Sequence, residues 1–216
     1  MNKCIIVGAG TYGQVYAKYL KSEYEILGFI DDNAQLKGTI ISQLPVIGNL
    51  QFLLDEMDRK IKVFVPIGDT SSRERILREV RKNGFSTPNY IHSTVNIGTD
   101  VILGDSAIYI LQGVVIMPMA VIDNDVMISS GTIISHHAVI QKNVFISFGV
   151  NVGASVLVRE KSYVGIGATI MTGVKQTGYD CLIGAGAVVI RDVPDYATVV
   201  GNPAKVIKVK NNAHAL

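Results

Sequence analysis

The sequence predicts two structural domains, a small α/β domain followed by a solenoid with three short faces in each coil. Residues 1–90 alternate short hydrophobic runs with amphipathic helical segments, which is typical of a small parallel sheet covered by helices. From residue 110 to residue 170, every sixth residue is isoleucine or valine. A period of six fits neither a helix nor a free-standing strand, and it indicates stacked coils of about eighteen residues.

The composition excludes several classes of protein. The 216 residues are 48% hydrophobic and 18% charged, so the chain can bury a core and is not disordered. Its formal net charge is +2 without a basic block, which argues against a nucleic-acid partner. The longest apolar run, Gly113–Ile122, is too short to cross a bilayer, and the first ten residues lack a secretory pattern. Because the apolar run is short, we expect no membrane insertion. Cys4 and Cys181 lie in different predicted domains, so we expect no disulfide and a cytoplasmic location.

The first domain is predicted from its alternating elements. In chain order these are a strand at Lys3–Val7, a helix at Gln14–Ser22, a strand at Glu25–Ile30, a helix around Leu50–Met57, a strand at Lys62–Ile67 and a helix at about Ser72–Lys82. Asn83-Gly84 closes the last helix, and Thr87-Pro88 marks the transition to the solenoid. We therefore predict domains at residues 1–90 and 91–216.

The solenoid register can be followed residue by residue. It begins weakly at Ile97 and Leu103, slips by one position before Ile110, and then holds for sixty residues. Four residues after each aliphatic residue comes a small or β-branched one, which lets successive coils stack. A loop at Gly173–Tyr179 interrupts the phase, and the tail at 199–208 is expected to fold back as a cap.

A glycine motif in the first domain indicates a phosphate site. Gly8, Gly10 and Gly13 follow a strand and open a helix, where backbone amides and the helix dipole favour an anion. Asp31 ends the next strand, where a ribose-binding acid is expected. NAD binding and a turn without ligand both stay open, but only half of a doubly wound fold is present, so a nucleotide or nucleotide-sugar diphosphate is favoured. Arg73 can add a positive charge for that diphosphate, or it is a solvated helix residue.

Two adjacent histidines in the solenoid, His136 and His137, are candidate catalytic residues. The prism interior is reserved for the aliphatic and small columns, so both imidazoles are expected at the surface. The stretch from Val126 to Ile140 has no charged residue, which favours a groove between subunits. Adjacent side chains of an extended chain point to opposite faces, so the pair is not expected to chelate a metal ion. General-base catalysis by one histidine is simpler, and the absence of a nucleophile elbow disfavours an acyl-enzyme.

Nearly the whole chain, to about residue 208, resembles the hexapeptide-repeat sugar acyltransferases of the sialic-acid O-acetyltransferase type. Within that family it is most similar to the nucleotide-linked amino-sugar N-acetyltransferases of bacillosamine and perosamine pathways. The segments that carry the resemblance, besides the hexapeptide coils, are Gly8–Gly13, Asp31-Asp32, Ile67-Gly68, Ile134–Ile140, Ile183–Ala187 and Gly201–Lys205.

The resemblance implies a homotrimer of left-handed β-helices, with acetyl-CoA as co-substrate between the prisms, no metal, and a nucleotide-linked amino-sugar on the N-terminal domain. The implied catalytic base is His136, and a backbone amide near Gly153-Ala154 is the candidate oxyanion donor. The positions implied for the nucleotide-sugar, with Arg73 added, are Gly10, Thr11, Tyr12, Asp31, Asp32, Gly68 and Ser71. The positions implied for acetyl-CoA, with contacts mainly through the backbone, are Phe145, Gly153, Ala154, Ile166, Gly167 and Ala185.

The expected function is acetyl-CoA-dependent N-acetylation of a nucleotide-linked amino-deoxysugar in glycan biosynthesis, with a 4-amino-4,6-dideoxy-sugar favoured. The family usually has Asp or Glu directly after the base, whereas this chain has His137. O-acetylation of sialic acid or of a glycan hydroxyl is the nearest alternative. Two alternatives come from other classes of protein. One is a non-catalytic nucleotide-binding scaffold. The other is a carbonic-anhydrase-like metal enzyme, which is less favoured because the chain has too few suitably spaced histidines.

Overall fold

The computed structural model describes residues 1–210, which divide into two compact units, Met1–Asn89 and the part that begins at Tyr90. The first unit contains strands and helices in an alternating order. Its strands are β1 (Asn2–Val7), β2 (Tyr24–Ile30), β3 (Ile40–Ile41), β4 (Leu44–Gly48) and β5 (Lys62–Phe64), and its helices are α1 (Thr11–Leu20), α2 (Leu50–Glu56) and α3 (Thr70–Lys82), with one 3₁₀ turn at Ala34–Leu36.

The sheet of the first unit has the order β3-β4-β2-β1-β5. β1 pairs in parallel with both β2 and β5, so its carboxyl end lies between the carboxyl ends of those two strands. α1 buries Tyr16 and Leu20, and α3 buries Ile76, Leu77 and Val80, which are spaced as on one helix face. In parallel α/β sheets, ligands bind beyond the carboxyl ends of the strands, and the glycine turn after β1 is at that edge.

The second unit is a parallel β-helix built from two-residue strands. Its first face is formed by Asn96–Ile97, Val115–Ile116, Ile133–Ile134, Asn151–Val152, Thr169–Ile170 and Val188–Val189. Its second face is formed by Ile102–Leu103, Val121–Ile122, Val139–Ile140 and Leu157–Val158. Its third face is formed by Tyr90–Ile91, Tyr109–Ile110, Met127–Ile128, Phe145–Ile146, Tyr163–Val164, Leu182–Ile183, Ala197–Val200 and Lys205–Val209.

Sequence periodicity and coil geometry agree. Strand partners on neighbouring coils are eighteen residues apart through the regular part, as in the pairs Val115 with Ile133 and Ile133 with Asn151. The second residue of each strand points into the prism, and so does the small residue four positions later, so both columns form one buried core. The prediction of an α/β domain followed by a left-handed parallel β-helix is therefore confirmed.

The interruption predicted at Gly173–Tyr179 lies where the second face ends. Leu157 there pairs with Gln176 through a single isolated bridge, and the regular register resumes at Leu182–Ile183 on the third face. The chain then closes with an antiparallel pair, Ala197–Val200 with Lys205–Val209. This pair extends the third face, and the apolar residues Val206 and Ile207 are 48% and 63% exposed in it, so their role as a cap stays a prediction.

Both cysteines are buried free thiols. Burial raises the pKa of the Cys4 thiol to about 12, and it also raises the pKa of the Cys181 thiol, which lies beside Ser162. A thiol reacts as its thiolate, so both residues are protected from thiol reagents in the folded protein. Within residues 1–210, no helix combines the length and apolarity needed to cross a membrane.

Candidate active site

The glycine turn, Gly8–Gly13, connects β1 directly to α1. A Cβ atom on Gly13 would lie closer than 3.0 Å to the backbone oxygen of Gly8, so only glycine lets α1 start this near β1. α1 begins at Thr11, three residues earlier than the sequence predicts, and its N-cap residue Gly10 provides no side-chain hydrogen bond. Gly10 therefore caps none of the amides of the first helical turn with a side chain of its own.

Gly10 differs from Gly13, because neither its backbone nor its neighbours require glycine. Its φ is −68°, which any residue adopts, and a Cβ built there meets no atom within 4 Å. Because Gly10 has no side chain, the space at the N-terminus of α1 is open, and an anion is favoured there. A cavity of about 220 Å³ lies there, lined by Gly8, Gly10, Thr11, Tyr12, Gly13, Pro66, Ile67 and Gly68. Four of the predicted substrate residues, Gly10, Thr11, Tyr12 and Gly68, are thus brought together.

The two aspartates after β2 hold backbone in position. Asp31 accepts hydrogen bonds from the amides of Ala9 and Asn33, both at 2.9 Å, and so ties the end of β2 to the glycine turn. Asp32 accepts from the amide of Leu50 at 2.9 Å and fixes the start of α2. The structure gives both carboxylates a role in positioning the backbone, and contact with a substrate stays a prediction for each.

Arg73 does not have the predicted role. Its side chain is fully buried, and its guanidinium donates to the backbone oxygen of Ile67 at 2.6 Å. The prediction that it contacts a substrate phosphate is wrong, because a side chain without exposed surface cannot touch a ligand; instead it supports the loop that lines the cavity. Ser71, in the first turn of α3, is exposed and is not among the residues that line it.

The sequence prediction missed Pro66 and Ile67, which line the same cavity. A usable signal was present, since both come within three residues of the end of β5, which pairs with β1. Carboxyl ends of adjacent parallel strands meet at one edge of a sheet.

In the second unit, the histidine turn (His136–His137) joins the first face to the second. It is held between its neighbours, because the His137 amide donates to Pro118 at 3.3 Å and the Ser155 amide donates to His136 at 3.1 Å. His137 has φ +60°, as does Ser155 at nearly the same value in the turn above, so this conformation belongs to the solenoid corner. Both histidines are exposed.

The two imidazoles contact each other. Their Nδ1 atoms are 3.0 Å apart and the ring planes are inclined by 87°. The prediction that adjacent side chains point to opposite faces is wrong here, because these residues form a turn instead of an extended strand. Among residues 1–210, no group of three or more histidine, cysteine or acidic side chains is arranged to hold a metal ion.

The backbone amides near Gly153 and Ala154, one coil above, differ in their hydrogen bonds. The Gly153 amide donates to the backbone oxygen of Ile170 at 2.8 Å, and the Ala154 amide donates to the side-chain hydroxyl of Thr172 at 3.1 Å. The Gly153 amide is thus engaged by the coil above, and an oxyanion role for the Ala154 amide stays a prediction. Contact of these residues with acetyl-CoA stays a prediction.

The other residues predicted to contact acetyl-CoA lie on different parts of the prism. Ile166, Gly167 and Ala185 belong to turns between the third and the first face, and Ile166 is 55% exposed. Phe145 lies on the third face, is 1% exposed and stacks on Tyr163 at 4.8 Å. The Phe145 side chain is thus enclosed, and contact of its backbone with acetyl-CoA, which is what the resemblance mainly implies, stays a prediction.

Comparison with known proteins identifies relatives of both units. The sequence profile of the PglD N-terminal domain family matches residues 3–80. No curated protein sequence matches the chain significantly. Among solved structures, the acetyltransferase domain of PglB from Neisseria gonorrhoeae FA1090 is 28% identical, with a TM-score of 0.88, and the match covers 96% of this chain and 100% of that one. The same domain in complex with acetyl coenzyme A matches at 28% identity over 95% of this chain and 99% of that one, with a TM-score of 0.87.

A second relative comes from Caulobacter crescentus. A histidine-to-alanine mutant of its GDP-perosamine N-acetyltransferase, solved with CoA and GDP-perosamine, is 26% identical, with a TM-score of 0.86, over 96% of this chain and 98% of that one. These matches run through the α/β unit and the β-helix together. The predicted resemblance to the hexapeptide-repeat sugar acyltransferases is therefore confirmed: the chain is similar to such enzymes over almost its full length, and its residues 3–80 match the PglD N-terminal domain family.

Proposed function

We propose that this protein transfers an acetyl group from acetyl-CoA to the amine of a nucleotide-linked amino-deoxysugar, with a 4-amino-4,6-dideoxy-sugar as the favoured acceptor. The observation that carries the proposal is the match over almost the full chain to two acetyltransferases, one solved with acetyl-CoA and one with CoA and GDP-perosamine. Each match covers almost the whole of this chain and of the relative, so it includes both the α/β unit and the β-helix.

The glycine turn supports binding of the nucleotide-sugar. A diphosphate would meet the start of α1, where the backbone amides point outward and the helix dipole favours negative charge. The cavity there is bordered by backbone and by Thr11 and Tyr12, and Gly10 leaves room for close approach. Asp31 contributes by holding the Ala9 amide, which keeps the turn in this shape.

The histidine turn supports direct acyl transfer. In the proposed step the sugar amine attacks the thioester carbonyl carbon, the new C–N bond forms, and His136 takes the proton from the nitrogen. Collapse of the tetrahedral intermediate breaks the C–S bond, and the thiolate of CoA recovers the proton from His136. No acyl-enzyme is needed, in keeping with two cysteines that are both buried in the folded chain.

The first test is release of free CoA thiol from acetyl-CoA in the presence of UDP-, dTDP- and GDP-linked 4-amino-sugars. A disulfide reagent reads only the product, because Cys4 and Cys181 are buried and the enzyme itself is expected to give no signal until it is denatured. We expect thiol release with one nucleotide series and acetylated sugar amide by mass spectrometry.

Two outcomes would contradict N-acetylation. Release only with hydroxyl acceptors such as sialic acid would favour O-acetylation. Failure to bind acetyl-CoA by calorimetry, with retained nucleotide binding, would favour a non-catalytic scaffold.

We also propose a homotrimer that assembles through the second face, in the cytoplasm where free thiols persist. The outward residues of that face are aliphatic without exception, namely Ile102, Val121, Val139 and Leu157, and Ile102 is 62% exposed. An aliphatic column at a surface is typical of a protein–protein contact. The outward residues of the first face are mixed, with Asn96, Asn151 and Thr169 polar and Val115, Ile133 and Val188 aliphatic.

Val139→Asp is expected to convert the assembly to single chains, because a carboxylate would be buried in an apolar contact. The measurement is molar mass by light scattering after size exclusion. Asn151→Asp adds the same charge on the first face and should keep the native mass. A native protein with the mass of one chain, or a Val139→Asp variant with three, would contradict this assembly.

A further inference from the structure

The contact between the two imidazoles of the histidine turn assigns a role to His137 that depends on the function proposed above. Their Nδ1 atoms lie 3.0 Å apart, which is hydrogen-bond distance. A neutral imidazole carries one ring proton, so a hydrogen bond between two Nδ1 atoms requires that one of them bears the proton and the other does not. The contact therefore fixes the tautomers of both rings together.

We propose that His137 is the positioning residue for His136, accepting a hydrogen bond from its Nδ1–H and thereby leaving the Nε2 lone pair of His136 free to act as the base. Because His137 accepts through Nδ1, its own proton is on Nε2. When His136 takes the proton of the sugar amine, the same hydrogen bond stabilises the imidazolium. The opposite arrangement, with the shared proton on His137, would put a proton on Nε2 of His136 and block it as a base.

The fold holds this contact in place. The His137 amide donates to Pro118 in the turn below, and the Ser155 amide donates to the His136 oxygen from the turn above. Both backbone bonds fix the turn before any substrate binds, so the two rings need no rearrangement to meet. An acceptor that is already positioned costs less to use than one that must be ordered.

Few other groups in this column of turns can perform the same task. The turns directly below and above are Pro118–Met119 and Ala154–Ser155, neither of which has a titratable side chain. The strand residues beside the histidines, Ile134 and Val139, are aliphatic. Asp100 is the nearest carboxyl residue along this column of turns, and it is two turns away from the histidines. The structure thus assigns the orienting role to the second histidine.

The test uses three variants of His137 that keep the backbone conformation. At φ +60° glycine is unstrained and asparagine is among the most tolerated residues, so neither should disturb the turn. His137→Gly removes the acceptor, His137→Asn replaces it with a carbonyl oxygen, and His137→Asp replaces it with a carboxylate. Thiol release gives kcat and KM for each.

We expect His137→Gly to lower kcat by about 10- to 100-fold, the usual loss when the group that orients a functional histidine is removed, with both KM values unchanged. His137→Asn and His137→Asp should recover most of that loss. In His137→Asp the acid limb of the kcat/KM profile should move to higher pH than in His137→Asn, because a fixed negative charge favours the protonated imidazole. Equal kcat in His137→Gly and the native enzyme would overturn the proposal, as would an asparagine variant no better than glycine.

A spectroscopic measurement reads the tautomers directly. Ring ¹⁵N shifts of the histidine-labelled enzyme should show His136 protonated on Nδ1 and His137 protonated on Nε2 at a pH where both are neutral. Two Nε2-protonated rings would overturn the proposal. The variant His136→Ala distinguishes failure of the proposed base from failure of the proposed positioning residue. Native turnover in His136→Ala would show that His136 is not the base. Loss of turnover in His136→Ala, with native turnover in His137→Gly, would leave His136 as the base and remove only the positioning role of His137.

Discussion

Replacing His136 with alanine is expected to lower kcat for acetyl transfer by about 10²- to 10⁴-fold, the usual contribution of a general base. The amine must lose a proton as the C–N bond forms, and without an imidazole at the corner of the prism that proton goes to water. The KM values for sugar and acetyl-CoA should change little, because the phosphate site lies in the other unit of the chain, on the glycine turn. The fold should be unaffected, since the His136 side chain is exposed and alanine keeps the backbone oxygen that accepts the hydrogen bond from the Ser155 amide.

The measurement is steady-state thiol release with the best acceptor of the nucleotide panel. His92→Ala is the matched control, because His92 lies in an early turn of the same solenoid, where its ring contacts the hydroxyl of Thr94 at 2.9 Å. The control should keep native turnover. If His136→Ala turned over at the native rate, direct transfer with this base would be untenable.

Replacing Gly13 with alanine is expected to have the largest effect on folding. The new Cβ would lie closer than 3.0 Å to the backbone oxygen of Gly8. Neither the Cβ nor this oxygen belongs to a flexible side chain that could move away. α1 would have to shift from β1 and expose Tyr16 and Leu20, which it now buries. We expect the free energy of unfolding to fall by about 3 kcal/mol or more, at the upper end of the cost of overpacking.

Gly10→Ala is the matched control for this prediction, three residues earlier in the same turn. Its φ is ordinary and its Cβ meets no atom within 4 Å, so unfolding should be unchanged. The added methyl group instead occupies the open space before α1, and the KM for the nucleotide-sugar should rise about tenfold or more, which corresponds to about 1.4 kcal/mol. Chemical denaturation and kinetics separate the two variants. Native KM in folded Gly10→Ala would exclude this cavity as the sugar-nucleotide site.

The solenoid could be predicted in detail because its sequence signal and its structure have the same period. An aliphatic residue at every sixth position specifies both the strand and its inward side, so Ile134 and Ile140 are buried where the pattern requires. The hairpin of β3 and β4 was not predictable by the same means. Its strands are short, Pro45 argues against a strand, and its turn at Ser42-Gln43 has positive φ values of 49° and 69° without the usual glycine.

The candidate site was predicted less completely than the fold, and for a physical reason. Sequence patterns report which residues face inward or outward, but hydrogen bonds between specific groups depend on three-dimensional contacts. Arg73 was expected to be available to a ligand because it begins a helix, yet it is buried against the Ile67 carbonyl. His136 and His137 were expected to diverge because they are adjacent, yet a left-handed corner brings their rings together.

The position of the histidine turn along the solenoid has a consequence for local opening. In a stack of coils each layer is held only by the layers next to it, so disorder enters from the ends and proceeds inward. The turn column runs through Thr99–Asp100, Pro118–Met119, His136–His137, Ala154–Ser155 and Thr172–Gly173, which leaves two turns on either side of the histidines. Fraying from either end must release two of these turns before it reaches the pair. Amide hydrogens of the histidine turn should therefore exchange with solvent more slowly than those near Asp100 or Gly173, so that the exposed site lies in the most durable part of the column.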